Sequence, residues 1–98
     1  MEELIGYATV SNWTTTEWND GLESIAREKF VPLIMSVGAS RVQMIRTGEL
    51  SFSVVTEYED EAAADAAQAK IAEIRSQASD ELPMSMSGTA AGGVFAAG

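Results

Sequence analysis

The chain of 98 residues contains no cysteine and no histidine, and it has only six Lys and Arg residues against fifteen Asp and Glu residues. Without cysteine there is no disulfide framework, no thiolate catalysis and no Cys-bound zinc or iron–sulfur site. Without histidine there is no Ser–His–Asp triad and no His-bound haem, so we expect neither a metal nor a cofactor. The net charge of −9 argues against nucleic acid and anionic membranes as partners.

Long hydrophobic runs are also missing. No run approaches the ~18 apolar residues that a membrane-spanning helix needs. The chain begins Met1-Glu2-Glu3, which is acidic where a secretory signal is basic. We therefore expect a cytoplasmic protein that makes no membrane contact. The length predicts one domain, residues 1–98, with a single core.

The first element is predicted to be a strand over residues 4–11, because β-branched and aromatic residues are frequent there. Asn12 and Trp13 are expected to end it. In this prediction Gly6, Ala8 and Val10 face the core, and Tyr7 and Thr9 face the opposite side of the sheet.

A helix is predicted next. Thr14 and Glu17 have the spacing of a capping box, which marks a helix start. Pro32 is expected to interrupt the helix near Glu28, whose carbonyl its ring would crowd, and Gly38 is expected to close it. The apolar residues at helical spacing are Trp18, Leu22, Ile25, Ala26, Phe30, Leu33 and Ile34.

Residues 39–58 have the pattern of a hairpin that turns within 46–49. The loop length decides which side chains share a face. A two-residue turn at Gly48-Glu49 would place polar residues beside Phe52. A three-residue loop that ends in a left-handed Gly48 pairs Met44 with Leu50 and separates the faces cleanly, so we prefer it. Its apolar face comprises Val42, Met44, Leu50, Phe52 and Val54, and its polar face comprises Arg41, Gln43, Ser51, Ser53, Val55 and Glu57.

Asp60 is the predicted N-cap of a second helix over 61–77. After Pro83 the chain alternates over 84–89, which predicts an edge strand with an optional continuation over 93–96. The inner stripe of the helix is alanine-rich and comprises Ala63, Ala67, Ile71, Ile74 and Ala78.

The resulting order β-α-β-β-α-β is the split βαβ, or ferredoxin-like, α+β arrangement, in which two helices cover one face of a four-stranded antiparallel sheet. Nothing predicted from the chain covers the other face. That face is half apolar, which predicts a homodimer. Its candidate residues are Ile5, Tyr7, Thr9, Arg41, Gln43, Ile45, Ser53, Val55 and Glu57. Arg41 and Glu57 are expected to pair there, either with each other or across the dimer.

Three stretches resemble the dimeric α+β barrel superfamily: residues 32–39, the turn at Arg46-Thr47-Gly48, and Tyr58-Glu59-Asp60 before the alanine-rich helix. This superfamily includes antibiotic-biosynthesis-type monooxygenases, haem-degrading enzymes and uncharacterised proteins. The resemblance implies two ferredoxin-like sheets packed face to face, with a small-molecule cavity between each sheet and its helices. The absence of histidine argues against the haem-degrading branch.

The candidate pocket residues are Asn12, Trp13, Trp18, Met44, Phe52 and Tyr58. The resemblance implies that an Asn and a Trp could hold substrate and oxygen, although adjacent residues fit that role less well than a turn Asn beside a packing Trp. Trp18, Met44 and Phe52 either fill the core or line a cavity for an apolar ligand. Tyr58 could donate a proton only if it is held against a substrate.

These observations predict a homodimer that binds a small apolar molecule between sheet and helices. One alternative is a cofactor-free monooxygenase-type enzyme that acts on an aromatic or apolar substrate. The other is an assembly module that binds no ligand and makes contacts through its edge strand or tail, residues 84–98. The sequence assigns no catalytic residue, and the glycines of 88–98 lack the spacing of a phosphate-binding loop.

Overall fold

The computed structural model describes residues 5–98. Its four strands are β1 (Tyr7–Thr15), β2 (Arg41–Gly48), β3 (Ser51–Tyr58) and β4 (Met84–Gly93), and they form one antiparallel sheet in the order β2-β3-β1-β4. The first helix, α1, covers 20–36, and the second, α2, covers Glu61–Glu81. The predicted β-α-β-β-α-β order and the ferredoxin-like α+β architecture are confirmed.

Strand β1 continues beyond its predicted end. Asn12 and Trp13 lie inside it, with an irregularity in the β4 pairing between them. Backbone hydrogen bonds continue the extended chain, since the Thr15 N–H donates to Leu50 O at 2.9 Å and the Thr16 N–H donates to Pro83 O at 2.9 Å. Leu4, the predicted first residue of the strand, lies outside the described residues.

The predicted phase of β1 is wrong, and the correction moves Tyr7 and Thr9 from the uncovered face to the helix side. Thr9 is buried opposite the buried Thr56, and Tyr7 packs against the core. The physical reason is the size of the side chains at the odd-numbered positions of β1, which all lie on the same side of the sheet. Trp13 is buried with them, and an aromatic ring removes about 150–250 Å² from water, far more than Ala8 or Val10 on the other side.

The predicted capping box at Thr14 and Glu17 is also wrong, because Thr14 belongs to β1. Helix α1 begins instead at Asp20, and Asn19 is its N-cap. The Asn19 side-chain oxygen accepts a hydrogen bond from the Leu22 N–H at 2.8 Å, which satisfies one of the free donors of the first turn.

The interruption that Pro32 predicts near Glu28 is confirmed. Helix α1 has a π-helical segment, Ala26–Phe30, between the α-helical segments Asp20–Ile25 and Val31–Ser36. The wider π turn fits the physical expectation, because a proline ring crowds the carbonyl four residues earlier in a regular α-helix. Gly38 follows the helix with a φ of 107°, in the left-handed region where glycine carries no steric cost, as predicted.

The hairpin register differs from the preferred prediction. Met44 pairs with Val54 rather than with Leu50, and Gly48 is not left-handed. The turn lies at 49–50, after an irregularity between Arg46 and Gly48. Because the shift is an even number of residues, every paired side chain keeps its predicted face, and only Leu50 leaves the apolar face for the turn.

Helix α2 and β4 complete the sheet-and-helix layers. The Asp60 side chain accepts from the Ala63 N–H at 2.8 Å, so the predicted N-cap is confirmed, but the helix ends at Glu81 rather than at 77. Strand β4 is one element rather than two, and Val94 continues its pairing through hydrogen bonds with Ile5 and Gly6. Neither helix within 5–98 is long and apolar enough to cross a membrane.

The side of the sheet away from the helices is called the outer face here. No part of the chain within 5–98 covers it, and the molecule is a two-layer slab with extents of 45 × 25 × 20 Å. Side chains at alternate positions of all four strands form it, among them Ala8, Val10, Asn12, Thr14, Arg41, Gln43, Ile45, Ser51, Ser53, Val55, Glu57, Ser85 and Ala90.

Candidate functional site

A cavity of about 350 Å³ lies between the sheet and the two helices. The first half of α2 approaches the sheet closely, because Ala64 and Ala67 are fully buried and present only methyl groups. The second half of α2, from Ile71 onwards, lines the cavity together with the inner side of α1. Its aliphatic walls are Leu22, Val31, Ile34, Met44, Val54, Ile71, Ile74, Ala78, Leu82 and Met84.

Four aromatic side chains, Trp13, Trp18, Phe30 and Phe52, form another part of the wall. The rings of Trp13 and Phe52 are stacked, with centroids 6.1 Å apart and planes 8° apart. Trp18 meets Phe52 edge to face, with centroids 5.9 Å apart. The buried Trp13 Nε1–H donates to Ser11 Oγ at 2.9 Å, so its polar edge is satisfied within the wall. These contacts fix the position of the aromatic rings in the cavity wall.

Trp18 is held on both its edge and its face. Its Nε1–H donates to Glu23 Oε2 at 2.7 Å, and the Arg46 guanidinium lies 4.3 Å from its ring centroid. Arg46 in turn donates to the carbonyl oxygens of Gly48 and Glu49, at 3.2 and 2.8 Å. The hairpin turn therefore anchors Arg46, and Arg46 anchors the indole through a cation–π contact.

The cavity walls carry the opposite charge from the rest of the protein. Arg27, Arg46 and Arg75 line the cavity, whereas Glu23 is the one acidic lining residue. Half of the six basic residues of the chain and one of its fifteen acidic residues therefore meet here. Arg27 and Arg46 are exposed and mark the open side of the cavity, while Arg75 is half-buried.

Four of the six predicted pocket residues come together at the cavity: Trp13, Trp18, Met44 and Phe52. Asn12 does not. It lies on the outer face, where its Oδ1 accepts from Ser53 Oγ at 2.6 Å. Consecutive residues of a strand point to opposite sides of the sheet, so Asn12 and Trp13 cannot hold one substrate between them. That separation removes the geometry on which the monooxygenase-type site depends.

Tyr58 lies in the core and outside the cavity walls. It is only 2% exposed. Burial raises the pKa of its phenol above the ordinary value of 10.0, and the nearby positive charge of Arg75 opposes that rise. The phenol is therefore neutral at physiological pH and has no ligand position next to it in the cavity.

Some of the predicted dimer-face residues lie on the outer face, and others lie on the helix side of the sheet. Arg41 and Glu57 lie opposite each other on the outer face and form the expected ion pair, with Arg41 Nε 3.8 Å from Glu57 Oε2. Gln43, Ser53 and Val55 share that face, whereas Tyr7 and Thr9 do not. No group of three Asp or Glu side chains within the described range lies close enough together to hold a metal ion.

The basic lining of the cavity was not predicted from the sequence, because its three arginines come from three separate elements. Arg27 lies in α1, Arg46 in β2 and Arg75 in α2. A helical pattern that counts only apolar residues does not identify these arginines. A signal does exist, since Arg75 follows the buried Ile71 by four residues and therefore lies on the same side of α2.

Comparison with known proteins gives likeness in structure only. No family model matches the chain, and no curated protein matches it. HapK from Hahella chejuensis is similar in structure, with a TM-score of 0.72, 15% identity, and coverage of 94% of this chain and 95% of HapK. A dimeric ferredoxin-like protein from an uncultured marine organism has a TM-score of 0.67 at 16% identity, covering 94% of this chain and 96% of that protein.

A protein of unknown function from Nitrosomonas europaea is similar as well, with a TM-score of 0.64 at 16% identity, over 98% of this chain and 96% of that protein. Identities this low establish the architecture and not the activity. Together with the strand order and the helix placement, these likenesses show that the chain has the ferredoxin-like fold.

Proposed function

We propose that the protein is a homodimer that binds a small, largely apolar molecule in the cavity between its sheet and its helices. The cavity itself carries this proposal. Its volume of about 350 Å³ lies within the roughly 300–1,000 Å³ that is common for small-molecule sites. Its walls combine aliphatic side chains with a fixed aromatic surface, and the sheet adds two hydroxyl-bearing residues, Ser11 and Thr56.

Binding is tested with N-phenyl-1-naphthylamine, a neutral apolar fluorophore. We expect saturable binding, with energy transfer from Trp18 and Trp13, which line the cavity. The variant Ala78→Leu fills part of the cavity and should weaken binding about tenfold or more, because a wall position becomes a bulky side chain. The matched control, Ala66→Leu, makes the same change at an exposed position of the same helix and should leave the affinity unchanged. Absence of saturable binding, or equal binding by both variants, would contradict the proposal.

Two observations support self-association through the outer face. The face is uncovered within 5–98 and presents Val10, Val55 and the 46% exposed Ile45, with one ion pair as its charged feature. A solved structure of the same fold is a dimeric ferredoxin-like protein. Pairing two outer faces would convert two slabs into one closed assembly with a second layer for each sheet.

Light scattering at micromolar concentration tests the assembly, and twice the chain mass is expected. Ile45→Lys places a charge within the outer face and should yield a monomer. Met35→Lys, which changes a side chain of similar exposure (40%) on α1, should remain dimeric. A wild-type monomer, or dissociation by both variants, would refute an interface on the outer face.

A further inference from the structure

The molecule carries an unequal distribution of charge around the cavity. Acidic residues outnumber basic ones across the chain, which repels anions from most of the surface. At the cavity the balance is reversed, with three arginines against Glu23 alone. An anion is therefore disfavoured nearly everywhere on the protein and favoured at the cavity.

Two of the three arginines are available to a ligand. Arg46 is engaged with the Trp18 ring and two turn carbonyls. Arg27 and Arg75 make no ion pair and no side-chain hydrogen bond among residues 5–98, where the ion pairs are Lys29–Glu81 and Arg41–Glu57. A half-buried guanidinium such as that of Arg75 loses hydration without gaining a partner, which is costly unless a ligand supplies the missing charge.

We infer that the cavity binds an amphipathic organic anion, with its apolar or aromatic body on the Trp13, Trp18 and Phe52 wall and its carboxylate against Arg27 and Arg75. The planar fork of a guanidinium matches a carboxylate and forms paired, charge-assisted hydrogen bonds with it. The single acidic lining group does not cancel this attraction, because the Glu23 carboxylate offsets only one of the three guanidinium charges and is hydrogen-bonded to the Trp18 Nε1–H. This inference rests on the proposed function and specifies its ligand class.

The test compares 2-naphthoate with 2-naphthamide, which have the same ring system and differ in charge. Calorimetric titration of the wild-type protein should give about 25- to 100-fold tighter binding of the naphthoate at low salt, as expected for two charge-assisted contacts that contribute about five- to tenfold each. About 0.5 M NaCl should remove most of that difference, because exposed and half-buried charges are screened, and should leave naphthamide binding unchanged.

Substitutions locate the charge. Arg27→Gln and Arg75→Gln should each weaken naphthoate binding by about five- to tenfold and leave naphthamide binding unchanged. Lys70→Gln removes the same charge from an exposed position of α2 and serves as the matched control, with both affinities unchanged.

The outcomes separate the two levels of the proposal. Equal affinities for the two probes, or an equal effect of Lys70→Gln and the arginine variants, would overturn the anion inference while leaving an apolar binding site. Failure of both probes to bind would overturn the inference together with the proposed function.

Discussion

Replacing Ala78 by leucine tests directly whether the space between sheet and helices is hollow. Ala78 is 7% exposed and lies on the cavity wall, on the side of α2 that also presents Ile71 and Ile74. Leucine is as good a helix former as alanine to within a few tenths of a kcal/mol, so the change acts almost entirely through packing.

The expected magnitude follows from the added carbon atoms. Leucine places three more carbons in the cavity, and each buried methylene stabilises the folded state by about 0.8 kcal/mol, or about 2.4 kcal/mol together. Loss of side-chain rotamer freedom offsets about 0.5–1 kcal/mol of this. We expect the free energy of unfolding of Ala78→Leu to rise by about 1.5 kcal/mol, which corresponds to a Tm higher by roughly 6–12 °C in a domain of this size.

Urea and thermal unfolding, followed by circular dichroism, measure the change. The control Ala66→Leu lies on the exposed side of α2 and should stay within about 0.5 kcal/mol of the wild type. If the cavity were filled by its own side chains, the added carbons would overpack the core and destabilise it by about 1–3 kcal/mol. A lower stability for Ala78→Leu would therefore refute the hollow cavity, since the two cases differ in sign.

Two further predictions concern Tyr58 and Asn19. Burial raises the pKa of Tyr58, so the unfolded chain releases the phenol proton more readily than the folded chain does. The free energy of unfolding should therefore fall as pH rises above about 10. Tyr58→Phe should remove that part of the decline, as measured by urea titrations between about pH 8 and pH 11. Asn19→Ala removes the N-cap of α1 and should lower the free energy of unfolding by about 1 kcal/mol, whereas Asn19→Asp, which retains an acceptor oxygen, should restore most of it. An unchanged pH profile in the first case, or a neutral Asn19→Ala in the second, would contradict the respective reasoning.

Elements with strong local chemistry were predictable. Asp60 caps α2 because its side chain accepts a hydrogen bond from a free N–H in the first turn of the alanine-rich helix. Gly38 ends α1 because the backbone there is left-handed, which favours glycine. Pro32 interrupts its helix by direct steric action. The faces of the hairpin were also correct despite the wrong register, because alternation fixes parity more firmly than it fixes pairing.

The phase of β1 could not be read from its own residues. Both of its sides carry small side chains, with Thr9, Ser11 and Thr15 on one and Ala8, Val10 and Thr14 on the other, so alternation is weak. The deciding contact is the stack of Trp13 on Phe52 from another strand. The start of α1 was also not predictable, because the sequence does not show where β1 ends. Only the sheet pairing of Thr15 shows that the strand continues past Thr14.

The cavity was identified as one of two options from the sequence, and its charge was not anticipated. Whether Trp18, Met44 and Phe52 fill a core or surround a space depends on distances between layers, which no single element encodes. The basic lining depends on three positions far apart in the chain, and their convergence is a property of the fold.

The alternation of side chains along β1 also affects which substitutions, insertions and deletions the gene can tolerate. Its odd-numbered residues contribute to the cavity side and its even-numbered residues to the outer face, so a substitution at Ser11 alters one surface and a substitution at Val10 alters the other. Ligand preference and subunit contacts can thus diverge separately along one strand. Deleting a single codon would exchange the two sets together, so we expect related genes to differ within 7–15 by substitution and not by single-residue insertion or deletion.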